Sequence, residues 1–419
     1  MAGTVLGMRA LATLLVLAAA LALAAPAAGS PSVRLGIQDD AWLEHGPGTL
    51  ADRAARLDRL GFELVRVTLA WHELEPVRGE VDWTRPDRLL GALRAQGLVP
   101  VVTIWGAPAW ANGGRSPNWA PIRGASLAAF ADAAARRYPF VRHWVIWNEP
   151  NQRRWLRPTT PAAYVSRVLN PAYAAIKRVS PRAQVAGGVT APRAASRGVS
   201  PVDFIRGMDR AGARLDAYAH HPYPLQPQDT PWAGGCATCK TITMAQLERL
   251  LREVGRAFPR ARVWLTEYGY QTNPPDRTLG VSPSLQARYL AEGLRRAHAA
   301  PKVDMLIHYL YRDEPDLGRW QSGLETAAGR PKPALAAVKL PLAQVSRAGG
   351  RTTLWGQVRC TATPTTAVVQ RRSGGAWRAV ARAKTTVRGY LSVSVRATRG
   401  DRLRLWHGGC SAGAVLVVR

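Results

Sequence analysis

The chain has 419 residues, 47% of them hydrophobic and 20% charged, and a formal net charge of +29. It is therefore globular and long enough for more than one domain. The positive charge is almost all arginine, with six lysines, and it is scattered rather than run together. That excludes a nucleic-acid-binding tail, and no nucleic-acid partner is expected.

The N-terminus reads as an export leader. Arg9 gives a weak positive start, 11–23 is an apolar run of Leu, Ala and Val, and small residues follow to Ser30. A signal peptide over 1–30, cleaved near Ala25-Pro26-Ala27, is expected, and with it a secreted protein. The run is short for a membrane span of about 20 residues, and no later segment is long and apolar enough to make one.

From 31 to 340, strand-like and helix-like segments alternate. The strand-like runs are 33–38, 63–71, 98–105, 143–149, 183–190, 215–221, 262–269 and 303–311, rich in Val, Ile and Leu. Amphipathic stretches follow each. In 48–61, Leu50, Ala54, Leu57 and Leu60 share one face and Gly61 stops the helix. The eighth helix is expected over 332–338. Eight strands each followed by a helix predict a (β/α)8 TIM barrel, and the lack of clean period-two alternation suits parallel strands covered on both faces. An open doubly wound sheet is disfavoured because no glycine-rich phosphate loop opens a helix.

Past Leu340 the pattern changes to short Val- and Thr-rich runs separated by Gly and Ser. This predicts a small all-β accessory domain, an Ig-like sandwich, over 346–419. From Ala343 to Arg419 there are fourteen Lys plus Arg against one acid, Asp401. Such a field favours anionic partners: an acidic polysaccharide or an anionic cell envelope. Cys360 and Cys410 fall in this part and could bridge it. Cys236 and Cys239 form CATC, for which a structural disulfide fits export better than a zinc site.

In a barrel, chemistry collects at the C-terminal strand ends. The fourth run ends in Val145-Ile146-Trp147-Asn148-Glu149-Pro150-Asn151, and the seventh in Thr266-Glu267-Tyr268-Gly269. The two carboxylates are 118 residues apart, yet three βα units bring them across one mouth. Arg66 lies on the second run, which ends at Trp71. His220, His221 and Tyr223 close the sixth, and His308, Tyr309 and Tyr311 the eighth. Paired carboxylates flanking a sugar-sized cleft are what glycosidic-bond hydrolysis needs, one as acid and one as nucleophile or base.

On these residues the chain resembles the clan A glycoside hydrolases, retaining (β/α)8 enzymes, and within them families 39 and 5. Trp147-Asn148-Glu149-Pro150 resembles the strand-four motif, which implies Glu149 as general acid/base and Asn148 on the sugar 2-hydroxyl. Thr266-Glu267-Tyr268-Gly269 resembles the strand-seven motif, which implies Glu267 as nucleophile. The resemblance also implies Arg66 and Tyr223 beside that nucleophile, and His221 rather than His220 facing the cleft. Trp71 to Pro76, with Gly79, Asp82 and Trp83, resembles the loop after strand two, and 318–334 the closing segment of secreted bacterial relatives. Many clan members carry a tryptophan at the end of strand eight; here Tyr309 and Tyr311 stand there and Trp320 comes later.

The expected mechanism is double displacement, with carboxyls about 5–5.5 Å apart rather than the about 6.5–9.5 Å of an inverting enzyme. Arg66 and Tyr223 should hold Glu267 ionised. Among fifteen tryptophans, Trp105, Trp110, Trp119, Trp155 and Trp232 fall in loops on the catalytic face, about half of them expected to stack on sugar. Asp39 and Asp40 suit either substrate contact or structure. Expected substrate-binding residues are thus Arg66, Asn148, His221, Tyr223, Trp71, Trp105 and Tyr309. No cofactor is needed and no metal cluster stands out. The expected state is a monomer acting on carbohydrate. A non-hydrolytic carbohydrate-binding barrel and a transglycosidase acting on cell-surface glycan are the alternatives.

Overall fold

The computed structural model describes residues 33–195, 197–236 and 238–419, so the expected signal peptide lies outside the described residues. Eight parallel strands close into a barrel in sequence order: β1 Arg34–Gln38, β2 Leu64–Ala70, β3 Val99–Trp105, β4 His143–Ile146, β5 Gln184–Thr190, β6 Ala217–His220, β7 Arg262–Tyr268 and β8 Val303–Tyr309. One long helix follows each: α1 Leu50–Arg59, α2 Thr84–Ala95, α3 Gly124–Arg137, α4 Asn170–Val179, α5 Pro201–Arg210, α6 Leu247–Ala257, α7 Pro283–Ala299 and α8 Pro333–Lys339. This is the expected TIM barrel. No described helix is long and apolar enough to cross a membrane.

Local chemistry sets the helix starts. Thr49 and Asp52 form a reciprocal capping box ahead of α1, and Ser200 and Ser282 cap α5 and α7. Gly61, just past α1, has φ +82°, and a Cβ there would lie 2.5 Å from the Arg359 carbonyl oxygen. Only glycine suits both that turn and the close approach of the C-terminal part.

The barrel interior is a small dry core of Leu64, Val101, Val145, Ala186, Ala217, Ala219, Trp264, Met305 and Ile307. Side chains two apart on a strand share a face. The same inward parity therefore carries Arg66, Thr103, His221 and Tyr309 one layer higher, to the C-terminal mouth.

Two antiparallel sheets follow. β9 Leu342–Ala348, β10 Arg351–Gln357 and β13 Tyr390–Arg396 form one, in the order β13-β10-β9. β11 Thr366–Ser373, β12 Ala376–Lys384, β14 Arg402–His407, β15 Ser411–Ala412 and β16 Leu416–Val417 form the other. Leu342, Leu354, Leu391 and Val395 of the first meet Ala367, Val369, Leu403 and Leu405 of the second, making a sandwich. Disulfides join Cys360 to Cys410 within it and Cys236 to Cys239 in the β6–α6 loop.

The three-stranded sheet packs its outer face on the barrel. Ala343, Trp355 and Tyr390 belong to the barrel's own core, with the Tyr390 ring 4.0 Å from His298 of α7. Tyr390 donates to the Val33 carbonyl (3.0 Å), and Arg388 pairs with Glu63 (3.0 Å). Val33 and Glu63 precede β1 and β2, so the sandwich holds the barrel's N-terminal end, opposite the mouth.

Candidate active site

At the mouth lies a cleft of about 560 Å³ lined by residues from several strand ends, among them Arg66, Trp105, Asn148, Glu149, Glu267, Tyr309 and Trp320. That volume is within the range of small-molecule sites. Arg66, 1% exposed, is its fixed centre. Its guanidinium donates to Thr103 Oγ1 (2.9 Å), Asn148 Oδ1 (3.0 Å) and Gln38 Oε1, and pairs with Glu267 Oε1 at 2.5 Å. A buried arginine is tolerable because its donors are met and its charge has a counterion.

Regular strand alternation does not carry Glu267 inward, and Glu149 lies beyond the extended end of β4. The β7–β8 register shifts between Leu265 and Tyr268, and that irregularity turns Glu267 into the mouth. After β4 the backbone leaves the extended region: Trp147 has φ 76° and Glu149 φ 37°. Side chains other than glycine at such angles cost about 1–3 kcal/mol each and persist only where surroundings over-determine them. Here they do. Trp147 N–H still donates to the Ile104 carbonyl (2.8 Å), its indole N–H donates to the Trp155 carbonyl (2.7 Å), and Tyr164 O–H holds the Ile146 carbonyl (2.8 Å).

His221 stands between the two acids. Its Nδ1 is 3.0 Å from Glu149 Oε1 and 3.5 Å from Glu267 Oε2. With carboxylate acceptors on that side, Nδ1 carries the proton. One oxygen from each glutamate and the His221 nitrogen all lie within 4.8 Å of one another. The same three donors could also bridge a divalent cation. Tyr223 O–H donates to Glu267 Oε2 at 3.1 Å.

Burial by itself would raise the Glu267 carboxyl. The charges of His221 and Arg66, and hydrogen bonds from Arg66 and Tyr223, outweigh it and hold the group below the ordinary carboxylate value. Burial, then the neighbouring Glu267 charge, pushes the Tyr223 phenol well above its usual value, so it remains a donor.

The structure separates the doubled histidine. His220 is fully buried, with Nδ1 on Thr190 Oγ1 (2.8 Å) and Nε2 on the Ile242 carbonyl (2.9 Å), and burial lowers it to about 3. His221 faces the acids. The aspartate pair also divides. Asp39 accepts from the backbone of Trp42, Tyr311 and Arg312 and ties β1 to the end of β8. Asp40 lines the cleft, holding Thr68 by backbone N–H (3.0 Å) and hydroxyl (3.1 Å).

Trp71 is a correction. It opens a short helix, Trp71–Leu74, instead of ending the strand, and is fully buried away from the cleft. Its indole N–H donates to Glu75 Oε2 (2.6 Å) and its rings pack on Trp110 and Phe130. Of the five tryptophans expected in loops, Trp105, which instead ends β3, and Trp155 line the cleft, edge to face at 5.3 Å. Trp110 packs inward, Trp119 lies under Arg115 and Arg157, and Trp232 under Arg295 and Arg296. Tyr311 is buried against Trp42. Trp320, arriving from the β8–α8 loop, takes the cleft wall beside Tyr309 (5.6 Å) and Tyr223 (4.7 Å). Gln38, Thr103, Glu73 and Glu314 also line the cleft without having been singled out from sequence. For Gln38 and Thr103 the available signal was strand parity with Arg66.

A closed parallel barrel with acids at its C-terminal mouth and a sandwich behind it defines the class of fold. No protein-family model matches the chain, and no curated protein does. Solved structures do. A family 39 glycoside hydrolase from the gut symbiont Bacteroides cellulosilyticus WH2 superposes with a TM-score of 0.61 at 19% identity, covering 93% of this chain and 83% of that one. A GH39 enzyme from Xanthomonas axonopodis pv. citri gives 0.59 at 17% identity, with 93% and 96% covered. A monomeric beta-xylosidase from Caulobacter crescentus CB15 gives 0.58 at 18% identity, with 91% and 97% covered. The likeness is one of fold.

Proposed function

We propose that the protein is a secreted retaining glycoside hydrolase that cleaves O-glycosidic bonds of a poly- or oligosaccharide by double displacement. The observation that carries this is the approach of the Glu149 and Glu267 oxygens to within 4.8 Å across the cleft. That spacing suits direct attack on the sugar and leaves no room for the intervening water of an inverting enzyme. The family 39 neighbours support the same reading by fold.

In this mechanism Glu267, kept ionised by Arg66 and Tyr223, attacks the anomeric carbon. Glu149 gives its proton to the leaving oxygen, and a glycosyl ester forms on Glu267. Glu149 then takes a proton from water, which attacks the same carbon and releases Glu267. His221 holds Glu149 on the leaving-group side. Asn148 has its amide oxygen on Arg66 and so offers its N–H₂ to a sugar hydroxyl. Trp105, Trp155, Tyr309 and Trp320 present rings to the sugar faces. The barrel acts as a monomer, and the basic C-terminal part suits an anionic glycan or cell envelope.

The test is reducing-end release by the mature protein across neutral and acidic polysaccharides, beside Glu149→Ala and Glu267→Ala. Cleavage by the wild type and its loss in both variants is expected. Glycan binding without cleavage by the wild type would make the site a sugar-binding relic.

A further inference from the structure

The sandwich has two outer faces, and only one is used in the fold. That of the three-stranded sheet lies on the barrel through Trp355 and Tyr390. That of the five-stranded sheet covers nothing among the described residues. Strand register shows what it carries. Ala367, Val369, Leu403 and Leu405 point into the sandwich core. Their neighbours along each strand point out, and cross-strand partners share a face.

The outward rows can be read from the pairing. Thr366 stands beside Lys384, Val368 beside Arg382 and Trp406, Gln370 beside Arg404, and Arg372 beside Trp377. Arg402 continues the outward row of β14. The face thus bears Arg372, Arg382, Lys384, Arg402 and Arg404, with Trp377 and Trp406 among them and no carboxylate. Asp401, the one acid after Ala343, sits at the strand start against Arg371 (3.8 Å). Two of the cations are held in place by the Trp377 ring. The Arg404 guanidinium lies 4.2 Å from the Trp377 ring centroid and donates to Gln370 Oε1 (2.8 Å), and Arg372 flanks the same ring at 5.9 Å. Trp406 is 37% exposed.

We propose that this sheet face is a binding site for a carboxylated polysaccharide. Fixed guanidinium forks recognise planar carboxylates by paired hydrogen bonds, and indole rings beside them stack on the C–H faces of sugar rings. A repeating uronate chain supplies both groups at once, along a flat surface. Nucleic acid offers the same charge and stacking. The Cys360–Cys410 disulfide within this sandwich, however, suits an oxidising compartment outside the cell interior, away from the bulk of the cell's nucleic acid. A lipid surface would meet the same cations together with the exposed Trp406 and Val417, and the vesicle arm of the test separates it from a polysaccharide. The site lies on the sandwich, which docks at the barrel's N-terminal end, so it does not extend the cleft. Its role is to hold the molecule on a polymer while the mouth is left free.

The site stands apart from the hydrolase reading, and its test is built to keep them apart. Binding is measured on the full-length Glu267→Ala protein, so that turnover does not enter. The probes are polygalacturonate, neutral dextran, duplex DNA and phosphatidylglycerol vesicles. One variant carries Arg372→Gln, Arg382→Gln, Lys384→Gln and Arg404→Gln. A charge-matched control carries Arg59→Gln, Arg210→Gln, Arg252→Gln and Arg260→Gln on exposed barrel positions. Melting curves confirm that both fold.

The expected result is salt-sensitive binding of polygalacturonate and none of dextran. The sheet variant should weaken it on the order of tenfold, by loss of counterion release, and the barrel control should leave it nearly unchanged. Trp377→Ala should weaken it further at high salt, where stacking outlasts charge. Equal weakening by the barrel control would overturn the proposal, leaving only a diffuse effect of net charge. So would tighter binding of DNA or vesicles, or no binding of polygalacturonate.

Discussion

The ends of β7 and β4 present a glutamate each to one cleft, and they hold it differently. Glu267 receives Arg66 and Tyr223 on its two oxygens, deep in the mouth. Glu149 receives His221 on one oxygen and stands on a turn whose backbone is pinned by Trp147 and Tyr164. The first environment stabilises a charge, and the second positions an acid while leaving its other oxygen open. The proposed division into nucleophile and acid would rest on this difference in surroundings rather than on the chemistry of the carboxylates themselves.

The sharpest way to break this comparison is to remove each acid in turn. Glu267→Ala should abolish turnover by on the order of 10⁴-fold or more, for every leaving group, as loss of a nucleophile does. Glu149→Ala should cost about 10²–10⁴-fold with a natural glycan, because protonation of the leaving oxygen is lost. With a nitrophenyl glycoside, which needs little protonation, the loss should shrink. Added azide should then restore rate to the Glu149 variant and give a glycosyl azide of retained configuration. If azide rescues Glu267→Ala with retention instead, the roles are exchanged.

The difference can be sharpened by pH. In the proposed mechanism Glu267 reacts ionised, and its carboxyl lies below the ordinary value. Activity should therefore persist as pH falls past the usual glutamate range near about 4.3 and fail only below it. Arg66→Gln removes the paired charge, so the acid limb of kcat/KM should rise by about 1 pH unit or more. An unmoved limb would mean that the pair serves only to position the carboxylate.

How much of this was legible in the sequence depends on backbone regularity. Arg66, His221 and Tyr309 stand in the mouth by the same alternation that puts Leu64, Ala219 and Ile307 below them, and any reading with the right strand parity finds them. Glu267 breaks that parity and Glu149 lies past the extended end of its strand, so residue type at a strand end had to stand in for geometry. Trp71 was misplaced because the strand was read one residue too far; the chain turns into a helix there and points the ring outward. Trp320 could be noticed but not placed. Its loop is fastened by long-range ties, a buried Lys332–Asp313 pair (2.7 Å) and the Gln321 side chain on the Glu314 and Asp316 carbonyls, which no local pattern announces.

Two tryptophans complete the series with smaller effects. Trp320→Ala opens the wall beside Tyr223 and should raise KM by about 10-fold, the order of one lost aromatic contact, with a smaller fall in kcat. A fall confined to kcat would mean that the ring acts on Glu267 through Tyr223.

Trp71→Phe is the counterpart and should change catalysis least. The ring is fully buried, so the loss is internal: part of its volume and the bond to Glu75, whose oxygen is left without its donor inside the fold. That combination costs about 1–3 kcal/mol of stability. The melting temperature should fall while KM stays within about twofold, since 0.4 kcal/mol or so is all that a twofold change represents. A clear rise in KM with an unchanged melting temperature would return Trp71 to the sugar, and with it the reading of the strand-two end that the buried ring now excludes.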